Sequence, residues 1–453
     1  MTNKISLKPL CVIRAPIATR SGYGDMARDI ARHMISYGEY DVKIHSVPWG
    51  DCPTNALDPD NPMDKILIDR VITETVGRKP DVFICISVPS EFMALGIYNI
   101  GITAGIESTL PSIPWVEGCN RMDTVWFIST FSKHTFENIT YTQKDQSGVT
   151  HKTIKLEVPV NVLPNCVNTK IFRKIDYEYE LSPTVKSALE AIPEQFNFLF
   201  VGHWMQGDMG EDRKNVGLLI KIFFETFRMI KGKQPGLILK VSSAGFSILD
   251  QEEIKKKIAM IRSSVTLGEG EVMPNVYLLH GDLTEKEMNS LYNHPKVKAH
   301  VSFTKGEGFG RPLLEASLTD KPIIASGWSG QLDFLDPETS TLVGGTMTPI
   351  HPSAQVNDIL IKDAQWFSVD IQQAANAMYG CFVDYSSFKK RAAPLRKQNR
   401  SKFNYDVIEK TMHELLKKYL PPVRIQMELK LPTLRKLAPP VEEPTPATTE
   451  VSV

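Results

Sequence analysis

A chain of 453 residues exceeds one ordinary hydrophobic core, and a make-up of 42% hydrophobic and 23% charged residues excludes a wholly disordered protein. The formal net charge is zero, which excludes a chain-wide pull toward nucleic acid or acidic membranes and leaves any such attraction to a local patch. The six cysteines form no CxxC pair and no grouping with histidines, so reduced thiols in a reducing compartment are expected rather than a thiolate metal site.

The first residues, MTNKISLKPLCVIRAP, lack the apolar segment and small-residue cleavage site of a signal peptide. No apolar run reaches the roughly 18–20 residues that cross a bilayer. A soluble, cytoplasmic protein is expected, peripheral to a membrane at most. Short apolar runs then alternate with helix-patterned segments, the pattern of parallel sheets covered by helices on both faces. Strands are expected at residues 10–13, 42–47, 82–86, 99–103, 125–128 and 160–163, with helices at 25–36, 65–76 and 132–139. A second series places strands at 198–202, 237–241, 276–279, 299–303, 322–325 and 341–343. Its helices fall at 216–229, 252–263, 285–292 and 313–318.

The expected class is therefore α/β, with a Rossmann-like domain over residues 1–185 and a second over 186–370. Helices at 371–382, 385–395 and 405–419 follow. In the last of these Val407, Ile408, Met412, Leu415, Leu416 and Tyr419 form one apolar stripe at spacings of three and four. Residues 421–453, ending PPVEEPTPATTEVSV, are too poor in apolar periodicity to pack and are expected to be mostly disordered. Between Lys389 and Lys436 stand 14 Lys/Arg against four Asp/Glu, which is either a solvated face or a surface for an anionic partner, membrane or DNA.

The strongest chemical signal is Val301-Ser-Phe-Thr-Lys-Gly-Glu-Gly-Phe-Gly-Arg-Pro-Leu-Leu-Glu315. A strand ends near Phe303, glycines follow, and Pro312 opens a helix, where its fixed φ and missing N–H do no harm. Gly306, Gly308 and Gly310 remove side chains where a ligand must approach backbone closely. The helix N-terminus offers free N–H groups and a positive dipole end to an anion such as a diphosphate. Glu307 in the loop and Glu315 in the first helical turn are carboxylates able to grip a sugar or ribose diol.

Asp212-Arg-Lys-Asn-Val-Gly217 precedes the first helix of the second series. Two cations there oppose the helix dipole unless an anion also binds. Cleaving a sugar–diphosphate bond builds charge on the leaving group, which needs fixed cations or a metal. Glu107 ends a strand of the first series, where ligand-binding loops of open α/β sheets lie, and is the acceptor-site candidate. Asp58-Pro-Asp60, superficially an acidic metal-binding triplet, sits in a Pro/Asn-rich stretch and reads as a loop.

Residues 307–315, followed by Ala316 and Pro322-Ile-Ile-Ala-Ser326, resemble the retaining glycosyltransferases of the GT-B fold, specifically glycosyltransferase family 4. That family's signature is two glutamates separated by seven residues. The resemblance implies that Glu307 contacts the transferred sugar near the reaction centre and that Glu315 holds the donor ribose. Ser21-Gly-Tyr-Gly24 resembles the family's first glycine loop, placing Gly22 and Gly24 against the donor phosphates. Phe131 and Ser132 resemble a further family segment. Leu163-Pro-Asn-Cys-Val-Asn-Thr-Lys-Ile-Phe172 resembles its hinge, with Cys166 in place of glycine and Asn168 in place of aspartate. The family's phosphate-binding lysine falls on Lys214. Its arginine falls on Arg213, with His203 the alternative. The final helix is implied to cross back onto the first domain.

Taken together, a metal-independent retaining glycosyltransferase is expected, without a cofactor. The donor base is expected near Leu279–Gly281, and the diphosphate on Lys214, Arg213 and the loop Gly308-Phe309-Gly310. The acceptor stays open among glycans, lipid-linked glycans, proteins, small molecules and modified DNA bases. A sugar-nucleotide epimerase, a phosphorylase, or a non-catalytic sugar- or nucleotide-binding module on the same fold are the alternatives.

Overall fold

A computed structural model describes residues 8–421 apart from Thr75, 145–149 and 244–246. The stretch read as a disordered tail therefore lies, beyond Pro421, outside the described residues. The first half runs β1 (Leu10–Ala15), α1 (Gly22–Tyr37), β2 (Asp41–Ser46), α2 (Pro62–Ile68), β3 (Val82–Ile86) and β4 (Tyr98–Thr103). It continues through α3 (Ile113–Asn120), β5 (Thr124–Phe127), α4 (Thr130–Glu137), β6 (Thr140–Lys144), β7 (Thr150–Lys155) and β8 (Val160–Val162). Six of these strands form an all-parallel sheet in the order β2-β1-β3-β4-β5-β8. Every residue of β3 is buried, as a strand covered on both faces requires.

The second half opens with α5 (Pro183–Glu190), β9 (Asn197–His203), α6 (Val216–Phe227), β10 (Gly236–Ser242), α7 (Ile248–Ser264) and β11 (Val276–Leu278). Then come α8 (Glu285–Asn293), β12 (Val297–Ser302), α9 (Arg311–Ser317), β13 (Ile323–Ser326), β14 (Thr341–Val343), β15 (Gly345–Pro349) and β16 (Gln365–Val369). A second parallel sheet is ordered β11-β10-β9-β12-β13-β14. Four helices close the described chain: α10 (Ile371–Val383), α11 (Tyr385–Lys390), α12 (Ala392–Lys402) and α13 (Tyr405–Tyr419).

Several expected boundaries need correction. The helix read at 65–76 ends at Ile68, because the β-branched Val71 and Ile72 join the sheet edge instead: Ile44 N donates to the Arg70 carbonyl and Ile72 N to the Ile44 carbonyl. The single helix read at 385–395 is two, since Pro394 has no N–H to donate and its ring would clash with the carbonyl of Lys390 in a continuous helix. Two antiparallel hairpins, β6–β7 and β15–β16, have no counterpart in the expected elements. The segment joining β15 to β16 reaches the other domain: Gln365 and Thr109 bond twice at 2.8 Å, and Ser112 donates to the Asp358 carbonyl at 2.8 Å.

The last helix, α13, is capped by Asn404, whose side chain accepts from Val407 N. It lies on α1, where His413 bonds the His33 carbonyl at 2.9 Å and Tyr405 packs on the His33 ring. Ile408, Met412 and Leu416 are buried in one core cluster with Ile30 and Met34. Val407, expected in that stripe, is 39% exposed, while Leu415 is half-buried against the same cluster. That cluster also takes in Leu291, Leu313 and Leu314, so it is continuous across both sheets' helices.

Candidate active site

The cleft between the sheets is built from their C-terminal edges. β12 feeds residues 304–310, and α9 starts from Gly310 at φ +92, a left-handed conformation that glycine adopts freely. The loop is held internally by Thr304, whose hydroxyl donates to the Gly306 carbonyl at 3.0 Å, and from below by Ser329, which accepts from Glu307 N at 2.9 Å. Opposite it, Asn215 adopts φ +57 at the start of α6 and ties its amide to the Phe303 carbonyl at 3.1 Å. That turn, together with the bond from Lys305 N to the Arg213 carbonyl at 2.7 Å, sets Arg213 and Lys214 against the loop.

Glu307 receives the Lys214 ammonium on both carboxylate oxygens, at 2.5 and 2.7 Å, with Arg213 at 3.7 Å. Arg213 also donates to the Gly306 carbonyl at 2.7 Å and stands 3.5 Å from Glu107 of the other domain. Burial alone would push the Glu307 carboxyl up, but the two cations outweigh it and hold it below the usual carboxylate range. Two cations and two carboxylates thus meet where the edges of both sheets face each other. His203 is not part of this group; its ring bonds the Ser243 carbonyl at 3.0 Å and the Ser242 hydroxyl at 3.2 Å.

Glu315 lies in the second turn of α9 rather than the first. Its carboxylate accepts from the Tyr292 hydroxyl and from Arg311 Nε, each at 3.1 Å. Burial pushes this carboxyl up to about 7; Arg311 opposes the rise while Asp25 and Glu285 add to it.

The glycines separate into two kinds. A Cβ on Gly306 would collide with the Glu107 carbonyl oxygen, and one on Gly308 would stand 2.6 Å from that of Ala104. These two glycines therefore make room for the backbone of the opposite domain, not, as expected, for a ligand alone. Gly24 similarly clears the Thr19 carbonyl. Gly22, the first residue of α1, has open space where a side chain would be. Both Gly22 and Gly24 fall inside the first turn of α1, capped by Ser21, rather than in a loop before it. Phe309 needs a second correction: the residue is 2% exposed and its ring packs on Phe334 and Phe403, so it shapes the loop from within.

Ser132 donates to the Ala104 carbonyl at 3.2 Å, and Phe131 meets Trp328 edge-on across the domains. Leu279 follows β11 and bonds the Leu239 carbonyl. Asp58 and Asp60 lie in the loop before α2, where Asp58 N donates to Asp64. Missed from the sequence were Tyr292, Arg311 and the cross-cleft pair Arg20–Asp282 at 2.6 Å. Arg311 had one available signal, its position four residues before Glu315 on the same helix.

No protein-family model and no curated protein matches this sequence. Solved structures match over nearly the whole chain. The Anabaena protein HepE, solved with UDP and glucose, superimposes with a TM-score of 0.57 at 14% identity, covering 90% of this chain and 100% of that one. Sucrose-phosphate synthase from Thermosynechococcus elongatus gives 0.59 at 13% identity, covering 91% and 98%. An E. coli protein bound to UDP-2-fluoro glucose gives 0.55 at 12% identity, covering 91% and 99%.

This chain has the GT-B fold. In a GT-B protein the two sheets point their C-terminal edges at one cleft, which is where Glu107, Arg213, Lys214 and Glu307 converge here.

Proposed function

We propose that the protein is a retaining, metal-independent glycosyltransferase that moves a sugar from a nucleotide donor to an acceptor hydroxyl. The observation that supports this most is the buried group of Lys214, Arg213 and Glu307 at the cleft, with Glu315 on the adjoining helix. HepE was solved with UDP-glucose as well as with UDP, which is consistent with a nucleotide-sugar donor here.

In this reading Glu315 accepts hydrogen bonds from the ribose diol, and Lys214 and Arg213 face the departing diphosphate together with the first turns of α1 and α9. Before the donor arrives their charge is balanced by Glu307 and Glu107. A diphosphate entering the group would draw the cations toward itself, leaving Glu307 beside the transferred sugar and Glu107 on the acceptor side. The acceptor hydroxyl attacks from the leaving-group face and its proton passes to the departing phosphate. No side-chain nucleophile is needed for this course. The closed contact of the two loops would keep water from the donor.

The test is slow donor hydrolysis across a panel of nucleotide sugars, with and without a chelator. One donor should be consumed, with the anomeric configuration kept, and EDTA should leave the rate unchanged. No consumption of any donor, with binding intact, would favour a non-catalytic module. Loss of activity with EDTA, restored by a divalent ion, would overturn the assignment of Lys214 and Arg213.

A further inference from the structure

Arg311 stands outside the roles proposed above. It is the first residue of α9, its side chain is 14% exposed, and its three nitrogens serve three elements. Nε donates to Glu315 one turn along its own helix at 3.1 Å. Nη1 donates to Asp29 on α1 at 3.3 Å and lies 4.0 Å from Asp25. Nη2 stands 3.9 Å from Glu285 at the start of α8. A planar guanidinium can address three directions in this way, whereas an ammonium is a single point charge.

The element reached by Nη1 matters. α1 belongs to the other domain and begins at Gly22, the residue with open space in its first turn. One side chain thus joins the carboxylate of Glu315 to the helix facing it across the cleft. Resting on the assignment of Glu315 to the ribose, we propose that Arg311 is a positioning residue that fixes this carboxylate against α1, so that the donor's ribose and diphosphate are gripped by both domains in one geometry.

The charges around Glu315 make the idea testable. Arg311 comes from its own helix, Tyr292 and Glu285 from α8, and Asp25 and Asp29 from α1. Asp25 is paired with Arg28, and Asp29 with Arg32, which Asp64 of α2 shares. The Cys166 thiol lies beside Asp29 and Arg311. Removing the guanidinium leaves Glu315 among acids and harder to ionise. Removing Asp29 frees the guanidinium for Glu315 and makes ionisation easier.

The experiment is calorimetric titration of the full chain with uridine diphosphate, or guanosine or adenosine diphosphate where it gives no heat, between about pH 6 and 9. Wild type, Glu315→Gln, Arg311→Gln, Arg311→Lys and Asp29→Asn are compared. Arg311→Gln should weaken binding about tenfold and move the pH midpoint of affinity upward, while Asp29→Asn moves it downward. Arg311→Lys keeps the charge, so it serves if the Gln variant fails to fold; its affinity should also fall, because a compact ammonium cannot span the three separated directions that the planar guanidinium serves. Midpoints that stay at the wild-type value, as a merely structural role would leave them, overturn the proposal, and so does an Arg311→Lys variant that binds like wild type. Should Glu315→Gln bind as tightly as wild type, the ribose assignment itself fails. If only Glu315→Gln weakens binding, that assignment stands and the role of Arg311 does not.

Discussion

Glu315 sits in a balance between burial and one guanidinium, and its protonation should govern both folding and ligand affinity. Its carboxyl is raised from 4.5 to about 7, chiefly by burial. Between those values the folded chain keeps a proton that the unfolded chain has released. The stability this site contributes is therefore full below about pH 4.5 and is lost as pH rises through about 7. A ribose diol needs the ionised form, so nucleotide affinity should run the other way and fall below about pH 7. Glu315→Gln should weaken nucleotide binding by about 10–100-fold at neutral pH and abolish its pH dependence between about 6 and 8. Calorimetry across that range checks it; an unchanged affinity would remove Glu315 from the ribose site. Glu307 and Glu315 could be picked out beforehand because they lie in one contiguous string with a glycine-rich loop between strand and helix. Arg311 lies in the same string, yet its partner Asp29 is 282 positions away, and such a pairing exists only in the fold.

At the scale of elements, the loop of residues 304–310 is shaped as much by the opposite domain as by any ligand. A methyl group at Gly306 must displace the Glu107 carbonyl, and the two loops can accommodate it only by separating. Gly306→Ala should therefore lower turnover by about 100-fold, the scale of an ångström-sized misplacement at a reacting centre. Nucleotide affinity, supported by Glu315 and by the Arg311–Asp29 contact away from this loop, should change far less. A variant with unchanged turnover would show that catalysis does not need this contact. The sequence reveals that a side chain is missing at such a position but not what occupies the space, which is why these glycines read as ligand contacts. The strands were legible for a simpler reason: runs such as Val82–Ile86 are apolar throughout. The hairpin β15–β16 was not, because no residue of Gly345–Pro349 is buried and Met347 is its one large apolar side chain, and its place comes from bonds to Thr109 on the other domain.

Across the whole molecule, the basic residues of α11 and α12 gather beside the second domain. Arg391 and Arg396 are engaged, with the Ser340 carbonyl and Thr341 and with Asp320 respectively. Lys389, Lys390, Lys397, Arg400 and Lys402 are exposed, and a surface depression is lined by Arg396, Lys397 and Arg400. α12 meets α9 at Ser317, the end of that helix away from the candidate site. The surface is thus suited to anchoring an anionic body rather than to presenting a group to the cleft directly. Binding to anionic vesicles or to DNA should be measurable at low salt and should weaken as the Debye length shrinks to about 8 Å at physiological ionic strength. Co-sedimentation and gel-shift measurements at two salt concentrations test it; no binding to either at low salt would leave these residues as solvated surface.

The return of α13 to α1 has a consequence for how the protein is made. His413 contacts a residue 380 positions earlier, so the earlier of the two domains lacks part of its core until α13 has been synthesised. At about 5–20 residues per second that wait lasts on the order of tens of seconds. Throughout it the surface of α1 that will receive Ile408, Met412 and Leu416 is left open to other apolar groups. The second sheet, whose last strand ends at Val343, has all its strands before then. The later domain thus has its strands before the earlier one has its last helix, and a message truncated before residue 405 would yield a chain whose earlier domain is the unfinished one.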